Sequence, residues 1–248
     1  MASTVNPPRG LRSILGGAQR TSRHRDVQGN APRAAVLGAG DGLITNVSLV
    51  LGVAGASSAG TAVRIAGIAG LLAGAFSMAA GELVSVRAQD ELAQREIQVE
   101  DEELRSAPEA EQHELAAMYR ARGVPTEDAA TVARILSANH ELALDTHVRL
   151  ELGIDPDQSN EPRKAAVSSF LAFGLGALLP LLPWFFAAGT VAVVASIVIG
   201  ALAALLLGAV IGAFTGRGIA HTALRQLIAA IVAAGVTYGV GTLLGTSA

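Results

Sequence analysis

The chain has 248 residues, of which 51% are hydrophobic and only 16% charged, with a mean hydropathy of +0.45. Soluble domains carry close to a quarter charged residues, so this composition excludes an ordinary water-soluble fold. The net charge of -3 averages two different materials, because 18 of the 21 acidic residues lie between Asp90 and Glu161 and none follows Glu161.

In chain order, residues 1–33 carry Arg9, Arg12, Arg20, Arg23, Arg25 and Arg33 without a continuous apolar core. They read as a disordered basic tail on the cytosolic side and not as a cleaved secretory signal. A spanning helix needs about 20 mainly apolar residues. Five stretches meet that length: Ala34 to Ala56, Ala62 to Val86, Ala165 to Ala188, Val191 to Phe214 and Ala223 to Leu244. The predicted fold is therefore all-α, an integral membrane protein with five transmembrane helices and a three-helix cytosolic insert between spans two and three. Its parts are the tail (1–33), spans one and two (34–86), the acidic insert (87–163) and spans three to five (164–248).

Under this scheme 17 of the 18 Lys and Arg residues fall on one side, leaving only Arg64 opposite. The positive-inside rule makes that side the cytoplasm, with the C-terminus outside a multi-pass cell-membrane protein. Gly208, Gly212 and Gly216, then Gly235 and Gly239, and Gly67, Gly70, Gly74 and Gly81 form small-residue faces. Such faces suit close helix packing within one protomer or between two. Pro180 and Pro183 predict a kink near the outer end of the third span.

The first insert helix, Arg87 to Leu104, has no breaker separating it from the second span and is expected to continue it. The second is expected to begin with a capping box, Ser106 with Glu109, and to stop near Gly123. The third is expected to run from Thr126 to about Gly153, with Glu127 and Asp128 in its first turn. Leu115, Tyr119, Val132, Ile135, Leu136, Leu142 and Leu150 are the candidate core of this insert.

With no Cys in the chain, any metal must be held by oxygen, imidazole or thioether ligands. Asp41 lies seven residues into the first span, about 10 Å deep at 1.5 Å per residue, where a carboxylate usually faces a polar cavity or ion pathway. No Lys or Arg in the spans lies at that depth; pairing to a neighbouring helix for packing alone is the other reading. Met78 sits at about 12 Å on the second span, with Glu82 one turn nearer the cytoplasm on the same face. Carboxylate with thioether suits a borderline transition ion better than Mg²⁺ or Ca²⁺. Asn46 is a candidate neutral oxygen ligand further in.

In the insert, Glu100 with Glu103 and Glu111 with Glu114 are i, i+3 carboxylate pairs, the arrangement by which helix bundles hold divalent ions. Asp101, Glu102 and His113 crowd the same region. His147 and Glu151 at i, i+4 can complete the shell with an imidazole. Solvated helix faces are the alternative for such acidic runs. No Glu-x-x-His pair of the ferritin type is present.

At these residues the sequence resembles the vacuolar iron transporter family, which includes plant nodulin-21-like proteins and many bacterial members. The similarity covers Ala34 to the C-terminus and is carried by DGLITNVSLVLGVAGA (41–56), AGLLAGAFSMAAGELVSVRAQDE (69–91) and SSFLAFGLGALLPLLP (168–183). The resemblance implies a homodimer with the metal path at its interface, and an antiporter for metal homeostasis that exports Fe²⁺, often with Mn²⁺, in exchange for protons. It matches Asp41 and Met78 to the pathway carboxylate and thioether. It matches Glu100, Glu103, Glu111, Glu114 and Glu151 to the glutamates of a cytosolic metal-binding domain. This sequence departs from it at His147 and Val148, where iron-selective members carry adjacent methionines.

The expected partners are divalent metal ions, protons and the lipid bilayer, with no nucleic acid and no prosthetic group. A metal-sensing or scaffold protein that binds ions without translocation is the rival reading. An enzyme is not expected, since no nucleophile constellation, phosphate loop or metal-hydrolase motif occurs.

Overall fold

A computed structural model describes residues 30–57, 59–155 and 161–245; most of the basic tail therefore lies outside the described residues. Among them the chain is entirely helical: α1 (Asn30–Ala56), α2 (Gly60–Ser106), α3 (Pro108–Ala121), α4 (Thr126–Ser137), α5 (His140–Leu150), α6 (Pro162–Leu181), α7 (Gly189–Thr215) and α8 (Ile219–Gly245). Five of these, namely α1, α2, α6 with the turn that follows it, α7 and α8, are long and apolar enough to cross a membrane. The expected spans are all found; four of the helices reach beyond the apolar stretch at one or both ends, α2 by twenty residues into the insert, whereas α6 with its turn starts earlier and ends at Phe185, short of Ala188. Arg33, expected in a disordered tail, instead belongs to the first turns of α1.

The first span is the hub, packed against α2, α6, α7 and α8. Glycine makes this possible, because four neighbours reach one helix only where side chains are small. A Cβ on Gly42 would collide with the backbone of Phe173 on α6, and one on Gly176 with the backbone of Ala39. On the other flank, Gly241 and Gly245 of α8 abut the α1 backbone at Gly52 and Ala56. Gly208 and Gly212 lie against the start of α8, so they serve packing within one protomer. At Gly235, Gly239 and Gly81 an added Cβ would meet nothing within 4 Å, so these glycines face outward. Gly216, read as part of a small-residue face, ends α7 in the left-handed conformation at φ 68°.

The two prolines act as an end to the helix more than a bend in it. Pro180 closes α6, and Pro183 lies in a single 3₁₀ turn, Leu182–Phe185. Ser196 of α7 donates to the Pro180 carbonyl at 2.7 Å and accepts from Trp184 Nε1 at 3.0 Å, satisfying polar groups that lipid cannot.

The second helix runs 47 residues without a break, about 70 Å at 1.5 Å per residue, so the span and the first insert helix are one rod. The rest of the insert differs from expectation in three ways. Pro108 occupies the first turn of α3 and its N-cap is Ala107, so Ser106 makes no capping box and donates instead to the Glu103 carbonyl. The expected third helix is two, because Asn139 breaks it and accepts from the Leu142 N–H at 3.1 Å to cap α5. Ile135 and Leu142 are exposed, and the buried apolar positions are Leu104, Leu115, Ala129, Ala133, Ala143 and Val148.

The α1–α6 contact is the tightest test of this packing. Gly42→Val should exceed the about 1–3 kcal/mol of an ordinary overpacked core, since the obstacle is backbone and cannot rotate away. Gly174→Ala, with nothing within 4 Å, should leave the detergent melting temperature unchanged or slightly raised. Equal melting temperatures for the two variants would contradict the assigned contact.

Candidate metal pathway

Three elements of the insert converge on one buried imidazole. The α2 rod carries Glu100, α3 carries Glu111, and α5 carries His147 and Glu151 one turn apart. Arg122 fixes this arrangement by donating to the Met118 and Leu150 carbonyls at 3.1 and 3.0 Å, tying the last turns of α3 and α5 together. His140 adds a second tie, with Nε2 at 2.6 Å from Asp101 Oδ1. That contact, followed by Arg105, holds the Asp101 carboxyl below its usual range.

His147 is fully buried, and its Nδ1 lies 2.9 Å from Glu100 Oε1, 3.6 Å from Glu151 Oε2 and 3.7 Å from Glu111 Oε2. Neither ring nitrogen is aligned in a hydrogen bond, and Glu100 Oε1 is likewise without one. One donor atom from each of Glu100, His147 and Glu151 falls within 4.8 Å of the other two, a spacing at which all three can reach a single cation. Burial pushes the Glu100 carboxyl up to about 7, helped by the charges of Glu151, Glu111, Glu103 and Glu114. Glu111 is raised too, by burial first and then by Glu114, with His147 opposing. The six expected insert residues therefore share one field, with His147 at its centre. His113 is exposed and makes no part of the described contacts.

In the spans the expected residues separate. Arg33 meets Glu82, Gly42 and Gly74 flank Phe173, and Asn46 lies against Gly70, which fixes the antiparallel register of α1 and α2. In that register Asp41 is level with Ala75, and Met78 lies about one turn nearer the insert, roughly 4.5 Å. Asp41 is on the open face of α1 and accepts from Thr45 Oγ1 at 3.4 Å. Met78 is half-buried against Ala75, Phe173 and Ala177. Asn46 points the other way: it is fully buried and donates to the Ala177 carbonyl at 2.6 Å, a tie between α1 and α6. The structure does not bring it to Asp41. Glu82 is nearly buried and paired with Arg33, a partner that the sequence pattern placed in the tail. The i+4 spacing of Arg33, Leu37 and Asp41 was the available signal.

The VIT family model matches residues 32–242. A vacuolar iron transporter of Acanthamoeba castellanii is 36% identical over 246 residues, covering 95% of this chain and 88% of its own. Vacuolar iron transporter 1 of Arabidopsis thaliana is 33% identical over 189 residues, 76% of each chain. Vacuolar iron transporter 2 of Oryza sativa subsp. japonica is 32% identical over 225 residues, 89% of this chain and 90% of its own.

The raised Glu100 value fixes the sign of a pH effect. Its contribution to stability is fully present below about pH 4.5 and is lost as pH rises through about 7, where the fold must hold the charged form. Melting temperatures of chelator-treated protein should therefore fall between about pH 5 and pH 8, and Glu100→Gln should flatten that slope. A variant as pH-sensitive as the wild type would contradict the assignment.

Proposed function

The chain belongs to the VIT family, and we propose that it exports a divalent transition metal, Fe²⁺ or Mn²⁺, from the cytosol in exchange for protons. The observation that carries this reading is the triangle of buried Glu100 and His147 with exposed Glu151, whose Glu100 corner stands on the same unbroken helix that bears Met78 and Glu82 in its apolar part. From Glu100 to Glu82 is 18 residues along α2, about 27 Å. The acidic insert faces the cytoplasm in this reading and loads the ion as substrate. Imidazole and carboxylate together suit Fe²⁺, Mn²⁺, Co²⁺ or Zn²⁺ better than Mg²⁺.

Asp41 supplies the coupling. A carboxylate on the lipid-facing side of a span is costly unless protein or a polar cavity covers it. Arg33, Asp41 and Thr45 form an open polar stripe on α1, interrupted only by Leu37. A second copy applied to this stripe removes it from lipid and supplies a second Asp41 and Met78, so the working unit is a homodimer. Protonation of Asp41 neutralises it and weakens its hold on the metal, so a proton entering from outside releases the ion outward.

In proteoliposomes, Asp41→Asn should abolish metal-driven proton movement, and wild-type flux in that variant would rule out the coupling. His147→Ala should weaken Mn²⁺ binding by about tenfold or more, a loss of about 1.4 kcal/mol, with the affinity read by calorimetry. Unchanged affinity would move the loading site elsewhere.

A further inference from the structure

The ion pair between Arg33 and Glu82 stands between the loading site and Asp41. Arg33 Nη2 lies 3.4 Å from Glu82 Oε1; the Glu82 side chain is only 12% exposed, whereas that of Arg33 is 54% exposed. The carboxylate is thus held in place, while within one protomer the guanidinium reaches it on a flexible stem from the exposed side of α1. Arg33 also heads the i+4 stripe that contains Asp41, two turns away, or about 12 Å. A permanently charged group at this point occupies the position that a cation approaching Glu82 must take.

We propose that Arg33 is a selectivity latch: a tethered counter-ion that fills the Glu82 site between transport events and yields it to divalent cations only. This rests on the transport reading above. A divalent ion at a given distance attracts a carboxylate about twice as strongly as a guanidinium does, so it can displace Arg33. A sodium or potassium ion has no such advantage. It must also compete with a group whose tether gives it an effective concentration of order millimolar or higher. The latch therefore keeps Glu82 neutralised when no metal is present and denies the path to monovalent ions. After the divalent ion moves on toward Asp41, the guanidinium closes behind it and opposes return.

Full-length wild type, Arg33→Ala and Arg33→Lys, reconstituted in vesicles with the insert facing the metal, test this with Mn²⁺ as probe and Na⁺ as competitor. Arg33→Ala should lower the KM for Mn²⁺ by about threefold or more, because the tethered competitor is gone. It should also make Mn²⁺ flux sensitive to about 100 mM Na⁺, at which the wild type is indifferent. Arg33→Lys should behave as the wild type, since it keeps the tethered charge. If Arg33→Ala does not purify, Arg33→Gln carries the same test.

A merely structural clamp would lower the rate and the melting temperature while leaving KM and Na⁺ sensitivity unchanged, and that result would overturn the latch. If wild type transports and Arg33→Ala matches it in KM and Na⁺ response, the latch alone is wrong. If wild-type vesicles take up no Mn²⁺, the transport reading fails and the latch with it.

Discussion

Removing a carboxylate from water costs several kcal/mol unless a cation or a set of donors takes water's place. This chain removes carboxylates from water at three levels and compensates them differently each time. In the insert, Glu100 and Glu111 are buried beside further carboxylates, and among the described residues His147 is the basic group that meets them. At the base of the spans, Glu82 is mostly covered and paired with a guanidinium. Higher up, Asp41 has a threonine hydroxyl and an open flank. The compensation is therefore incomplete at the two ends and exchangeable in the middle, which is the condition for a cation to bind, move and leave. A fully satisfied network would hold its ion as structure.

The unbroken α2 rod converts these separate levels into one line. A helix of 47 residues has no room for a hinge unless Pro or paired small residues interrupt it, and its lower half contains neither. Glu100 is consequently fixed in azimuth and height relative to Glu82. The hub packing of α1 does the same for Asp41. Its glycines bring backbone against backbone on α6 and α8, so the face bearing Asp41 is set by contacts that have no side-chain freedom. Rigidity in both carriers leaves side chains, chiefly Arg33, as the parts free to move.

Features governed by length and polarity were legible in the sequence. The five spans and the continuity of α2 follow from apolar run length and from the absence of breakers, and both are present. The insert was less legible because local chemistry overrode pattern. Pro108 outcompeted the Ser106 box, since proline fixes the first helical turn and moves the cap to Ala107. Asn139 cut a periodic apolar stretch by offering its side chain to Leu142 N–H, and the cut rotated Leu142 out of the core. Depth and oxygen chemistry make Asn46 a candidate ligand, but neither reports azimuth. Its azimuth, 140° from Asp41 on an ideal helix, sends it to the Ala177 carbonyl. Glu82's partner is hidden in the sequence because composition places Arg33 in a tail, and an ion pair 49 residues apart leaves no local trace.

The departure from the resembled family at residues 147 and 148 is asymmetric in three dimensions. Adjacent positions on a helix point about 100° apart, so only one of them can face Glu100 and Glu111. Here His147 does, while Val148 is buried and its carbonyl accepts from Ile154 N–H, within the hydrophobic part of the insert. The valine is thus a packing residue, and the chemical difference reduces to imidazole at a single ligand position. Imidazole is a borderline nitrogen ligand accepted by the whole late first-row series, where a thioether offers only soft sulfur. Asp41 and Met78 keep the carboxylate and thioether in the spans, so the departure from the resembled pattern is confined to one face of the insert.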